Sequence, residues 1–124
     1  MNINYTNSNM KRFILYIWQL PQNTIGWIIT SFLPHAFTSN GCKFYKWNGN
    51  GVSLGNYIII PKYKRTTFII RHEYGHHIQS TYLGPLYLTK IGIPSVVGNI
   101  LHRFIKFNYY KQPWEAWANR LGGV

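Results

Sequence analysis

A chain of 124 residues with 46% hydrophobic, 18% aromatic and only 12% charged side chains has the length of one domain, and is too apolar to be intrinsically disordered. Lys and Arg number 13 against 2 Asp plus Glu, a formal net charge of +11 that predicts attraction to polyanions. The lone cysteine, Cys42, excludes an internal disulfide framework and every cysteine-rich zinc module.

Met1 to Met10 is polar and Asn-rich and reads as a flexible, frayed terminus. Lys11 to Trp18 and Thr24 to Phe32 read as apolar helical pieces around Pro21, followed by a turn over Pro34 to Asn40. The apolar stretch Phe13 to Leu33 follows a Lys-Arg pair, as a signal peptide or anchor would. Gln19-Leu20-Pro21-Gln22-Asn23-Thr24 interrupts it, however, and no small-residue cleavage site is present. A spanning helix needs about 20 mostly apolar residues. Neither half of this stretch reaches that length, nor does Ile91 to Leu101 with its Gly92, Pro94 and Gly98. Both are expected as core or interfacial segments of a soluble domain whose compartment the sequence leaves open. Basic and aromatic residues mixed at the amino end keep peripheral contact with an anionic surface open as well.

From Cys42 to Pro61 the pattern changes. Phe44, Tyr45, Trp47, Val52, Leu54 and the run Tyr57-Ile58-Ile59-Ile60 are punctuated by Gly49, Gly51 and Gly55, so strands with tight turns are predicted, ending at Pro61. Thr66 to Tyr82 is the clearest helix, stopped by Gly84-Pro85. Another helix is predicted from near Val96 through Phe104. The last begins with Pro113, a residue suited to a first helical turn, and ends at Gly122-Gly123. Lys and Arg are scattered, with Lys62, Lys64, Arg65 and Arg71 the nearest thing to a patch. No helix-turn-helix, finger or RNA-recognition signature accompanies them, which argues for a solvated basic surface over a nucleic-acid site.

The clearest helix contains His72-Glu73-Tyr74-Gly75-His76, the H-E-x-x-H pattern. With five His and two Glu placed at random, the pattern would arise about 0.3% of the time, so chance is a poor account of it. Residues i and i+4 share one helix face, so both imidazoles can reach a single Zn²⁺. Glu73 sits roughly 100° further round, placed to address a metal-activated water as general base without ligating the metal. Phe68 and Ile69 are expected to wall the same face.

Catalytic zinc takes a third protein ligand and keeps its fourth position for water. A third His six residues beyond the second is excluded, because Tyr82 stands there and Gln79 replaces the required Gly. The chain has no Asp, and its one other acid is Glu115, in the first turn of the helix that opens with Pro113. There Trp114, Trp117, Ala118 and Leu121 form the apolar stripe, while Glu115 and Asn119 share the flanking side. Glu115 is thus the candidate third ligand, although a carboxylate there also suits a helix amino terminus on its own account. His77 points away from His76, and neither His35 nor Cys42 sits in a ligand spacing, so these read as structural.

His72-Glu73-x-x-His76 with a downstream Glu resembles the gluzincin branch of zinc metallopeptidases, and the small size resembles single-domain minigluzincins. Leu54-Gly55-Asn56-Tyr57, His-Glu-Tyr-Gly-His, Gln79-Ser80, Leu83-Gly84, Gly92-Ile93-Pro94-Ser95 and, more loosely, Trp18-Gln19-Leu20-Pro21-Gln22 are similar to small bacterial zincin-like domains. The resemblance implies a compact α+β zincin-like domain over 1–124, with a small antiparallel or mixed sheet packed on the metal helix. It implies one Zn²⁺ on His72, His76 and Glu115, and hydrolysis of a peptide or protein substrate with Glu73 as general base. In gluzincins an Asp four residues past the Glu ligand supports the first His; here that place is Asn119, which accepts a hydrogen bond but carries no charge. The family also implies a substrate-pairing edge strand, which Tyr57 to Ile60 fits by position, while the same run reads equally well as an ordinary core strand. His102, Tyr109 and Tyr110 are candidates for a hydrogen bond to the oxyanion. Two other classes stay open: a zinc-bound interaction or toxin-like module with little protease activity, and a basic nucleic-acid-binding protein.

Overall fold

The computed structural model describes residues 3–63, 67–105 and 111–124. Two helices, α1 (Ile3–Trp18) and α2 (Leu20–Thr30), lead into strands β1 (His35–Ser39), β2 (Cys42–Trp47), β3 (Val52–Leu54) and β4 (Tyr57–Pro61). Helix α3 (Thr67–Leu83) follows, then a 3₁₀ turn (Gly84–Leu86) and a π turn (Leu88–Gly92) that run into α4 (Ile93–Phe104), and finally α5 (Pro113–Gly122). The fold is α+β, as expected, with a four-stranded mixed sheet.

The stretch read as frayed is helical from Ile3, since no Pro or Gly lies between Ile3 and Trp18 to interrupt the helix that Lys11–Trp18 forms. Pro21 occupies the first turn of α2, where its missing N–H costs nothing. The turn read over Pro34 to Asn40 is instead strand β1. The reversal itself is Asn40-Gly41, with φ of 53° and 80°, the two-residue connection that matches strand twist. Helix α4 begins at Ile93 rather than Val96, because Pro94 falls in its first turn and is tolerated there.

The sheet order is β1-β2-β4-β3, with β2 and β4 parallel and the two outer pairings antiparallel. This corrects the edge-strand reading of Tyr57 to Ile60 and bears out the core-strand one. β4 pairs on both sides, Lys43 opposite Tyr57 in β2 and Leu54 opposite Tyr57 in β3, and leaves no row of backbone groups for a substrate. Its uninterrupted Tyr57-Ile58-Ile59-Ile60 run is buried throughout, the mark of a strand covered on both faces. The edge next to α3 and the cleft described below is β3.

One face of the sheet packs on α3: Cys42, Phe44, Ile58 and Ile60 form a core with Ile69, Ile70 and Tyr74 against it. The Tyr57 side turns toward α1 and α2, where the Tyr16 and Tyr57 hydroxyls lie 3.1 Å apart. A buried polar network ties α2 to the end of α3. Gln22 Nε2 donates to Ser80 Oγ (2.7 Å) and to the Gly84 carbonyl (2.8 Å), and Ser80 Oγ donates to Gln19 Oε1 (2.6 Å). Helices α3 and α5 meet at backbone distance: a methyl on Gly75 would overlap the Ala118 carbonyl, and one on Gly122 the Arg71 carbonyl. That glycine contact fixes where the first turn of α5 stands against the middle of α3.

Candidate metal centre

Helix α3 places His72 and His76 one turn apart, their rings 4.7 Å apart and nearly perpendicular. From α5, Glu115 Oε2 reaches both, 2.8 Å from His72 Nε2 and 2.9 Å from His76 Nε2. Each of these side chains is buried, and their donor atoms all lie within 4.8 Å of one another. Helix α5 forms where the sequence places it, opened by Pro113 and closed by Gly123 in the left-handed conformation at φ 79°.

The outer nitrogens decide the chemistry. His72 Nδ1 is 2.6 Å from Asn119 Oδ1, and His76 Nδ1 is 2.6 Å from Gln79 Oε1. Gln79 Nε2 donates to the Trp114 carbonyl at 2.7 Å, which fixes the amide so that its oxygen faces His76. Carbonyl oxygens only accept, so each Nδ1 carries a proton: a neutral ring then turns its Nε2 lone pair inward, and a ring that also holds a proton on Nε2 donates it to Glu115. Two nitrogen lone pairs and a carboxylate oxygen therefore converge on one buried point. That arrangement requires a cation: a proton on an imidazole, or a metal ion. Two imidazole nitrogens and a carboxylate oxygen suit Zn²⁺ and other divalent transition metals, and tetrahedral ligands at zinc distances stand about 3.3 Å apart, a few tenths of an ångström beyond the contacts from Glu115. The three residues could hold a metal ion.

The charges are tuned to match. Burial alone would raise the Glu115 carboxyl, but hydrogen bonds from His72, His76 and Ser95 outweigh it and hold the group well below the usual carboxylate range. Ser95 Oγ donates to Glu115 Oε1 at 2.6 Å, leaving Oε2 for the histidines. At His76 burial alone would favour the neutral ring, but the hydrogen bond to Glu115 and the charges of Glu73 and Glu115 raise its pKa. Glu73 is different: burial pushes its pKa up, and the neighbouring histidines offset this only in part. Its carboxylate lies over Gly51, where a Cβ would come within 2.7 Å of Oε1, so a side chain at 51 would displace it.

Glu73 and His76 line a cleft of about 280 Å³ bordered by β3, Tyr87, Ser95 and the start of α4. Phe68 stacks on His72, ring centroids 6.0 Å apart, while Ile69 turns to the core instead of the site. His102 is exposed on α4 and is not among the cleft residues; Tyr109 and Tyr110 lie outside the described residues. His77 Nδ1 donates to the Gly55 carbonyl at 2.8 Å. Cys42 is in the core, where burial pushes its thiol up to about 12. Gln79, Ser95, Tyr87 and Gly51 were not read as site residues. Gln79 carried a signal, standing three residues after His76 on the same face, and the others carried none. Comparison with family models, with curated proteins and with solved structures finds no match for this chain.

Proposed function

We propose that this chain is a zinc-dependent peptidase of gluzincin type, with His72, His76 and Glu115 holding the ion. The observation that carries the reading is the convergence of both Nε2 lone pairs on Glu115 Oε2, with both Nδ1 atoms pinned by amide oxygens and Glu73 beside them in a cleft. Bound zinc would supply Lewis acidity, lowering the pKa of water toward about 7 and polarising a carbonyl. Glu73 serves as general base: it takes a proton from water in the cleft and returns it to the departing amine. Burial raises its pKa, the direction that makes the carboxylate a better proton acceptor. The substrate backbone adds to β3, the sheet edge whose residues border the cleft. Asn119, Gln79 and Ser95 hold the ligands in orientation.

The test is metal analysis beside a peptide-library cleavage assay on wild type, Glu73→Gln and His72→Ala. Wild type should carry one zinc per chain and cleave. Glu73→Gln should keep the zinc and lose cleavage by about 10²–10⁴-fold, the usual size of a general-base contribution. Intact zinc without any cleavage by wild type would move the reading to a zinc-bound interaction module. Metal-free protein, or unchanged zinc in His72→Ala, would end it.

A further inference from the structure

Helix α2 is inside out. Its buried residues are Gln22, Asn23, Gly26 and Thr30, whereas Ile25, Trp27 (59% exposed), Ile28 and Ile29 face outward. Helix α4 repeats the pattern. Ser95 bonds Glu115, Asn99 Oδ1 accepts from Asn50 Nδ2 at 3.0 Å, and Gly98 lies against Gln112, all on the protein side. Ile93, Val96, Val97, Ile100, Leu101 and Phe104, at helical spacing, form the exposed side, with Phe104 81% exposed. Phe13, Ile14, Ile17 and Trp18 give α1 an outward apolar stripe as well. A water-facing helix hides its apolar stripe and shows its polar one; here that polarity is reversed, as it is for helices in contact with lipid.

Charge says what covers these stripes. Both acidic side chains of the chain, Glu73 and Glu115, are buried, so the 13 Lys and Arg meet no acidic side chain on the surface. Lys11 and Arg12 are exposed beside Phe13 and Ile14, and Lys90 is exposed just ahead of α4. A second copy would bring another +11 with nothing to neutralise it. An anionic bilayer supplies both an apolar layer and negative headgroups. None of the described helices is long and apolar enough to cross a membrane, so the contact is interfacial.

We propose that the outward stripes of α1, α2 and α4 dock this protein on an anionic phospholipid bilayer, with Trp18 and Trp27 at the headgroup level. Ile25 of α2 and Ile93, Val96 and Val97 of α4 also line the cleft, so the cleft lies between two lipid-facing stripes. The docking does not depend on the peptidase reading.

The test is co-sedimentation of the full chain with vesicles of phosphatidylcholine alone or with 30% phosphatidylserine, at low and high salt. Wild type should bind the anionic vesicles at least tenfold more tightly than the neutral ones, and less tightly at high salt. Trp27→Asp and Ile100→Asp should each weaken binding more than tenfold, with circular dichroism unchanged. Ser39→Asp, which makes the same charge change on β1, should bind within twofold of wild type. Should an aspartate variant fail to fold, brominated lipid gives the second readout: it should quench wild-type tryptophan fluorescence, and quench it less in Trp27→Phe. No binding to anionic vesicles, or equal loss in Ser39→Asp and Trp27→Asp, would overturn the proposal. So would a dimer by equilibrium sedimentation that Trp27→Asp dissociates without any vesicle binding, which would make a second copy the occupant.

Discussion

At the scale of single residues, the candidate metal cluster was legible because its signal is local and compositional. His72 and His76 stand at helical spacing, and Glu115 is the acid left over in a chain with two. The groups that orient them were harder to read. Ser95 reaches Glu115 from another helix, and no spacing in a sequence encodes the register between two helices. Asn119 is the informative substitution site. Its amide oxygen holds the His72 tautomer without contributing charge. Asn119→Ala should therefore weaken zinc binding by about 10–100-fold, the usual loss when an orienting partner is removed. Asn119→Asp should retain the metal at least as well as wild type, because a carboxylate accepts the same bond and raises the basicity of the ring. Competition with a chromophoric chelator measures both. Equal affinity in wild type and Asn119→Ala would show that the 2.6 Å contact does not orient His72 for the metal.

Among the secondary-structure elements, α3 and α5 followed from pattern and punctuation, while of the sheet the strands between Cys42 and Pro61 were legible and β1 and the strand order were not. Alternation and turn residues locate strands, but pairing is non-local, and a run such as Tyr57 to Ile60 fits an edge by position and a centre by composition. Composition was the better guide, since an inner strand is apolar on both faces. β1 falls inside the stretch that reads as a turn, because Pro34 stands six residues ahead of Asn40-Gly41, the hairpin signal that marks the actual reversal. The contact between α3 and α5 yields a prediction of its own. Gly75→Ala places a methyl against the Ala118 carbonyl, and backbone cannot step aside as a flexible side chain can. Overpacking of this kind costs about 1–3 kcal/mol. The variant should unfold at lower denaturant and also lose zinc affinity, because moving α5 outward takes Glu115 away while His72 and His76 stay on α3. Lower stability with unchanged zinc affinity would show that the first turn of α5 is positioned by something other than this contact.

For the whole molecule, the buried acids and phenols set the response to pH. The Cys42 thiol stands at about 12 in the fold against an ordinary 9.0, so the unfolded chain releases that proton first as pH rises. Stability from this group is therefore complete below about pH 9 and is lost between 9 and about 12, a change on the order of 4 kcal/mol at the far end. Burial raises Tyr57, Tyr74 and Tyr87 as well, which pulls in the same direction. Denaturant midpoints should hold from pH 7 to about 9 and then fall, and Cys42→Ala should flatten that fall. An unchanged slope in the variant would remove Cys42 from the account. The burial of Glu73 and Glu115 has a consequence at the opposite end of the scale. An ordinary protein of this size binds many protons below pH 5, and their sum hides any one group. This chain has no other acidic side chain, so apart from a terminal carboxyl its carboxyl titration belongs to the metal-free site, with His77, whose pKa burial lowers, taking up a proton beside it. Glu73 should take up its proton above the ordinary 4.5 and Glu115 far below it, as two separated steps while the fold holds. With two carboxyl side chains in the chain, a carboxyl-carbon NMR titration would assign each step to its own glutamate.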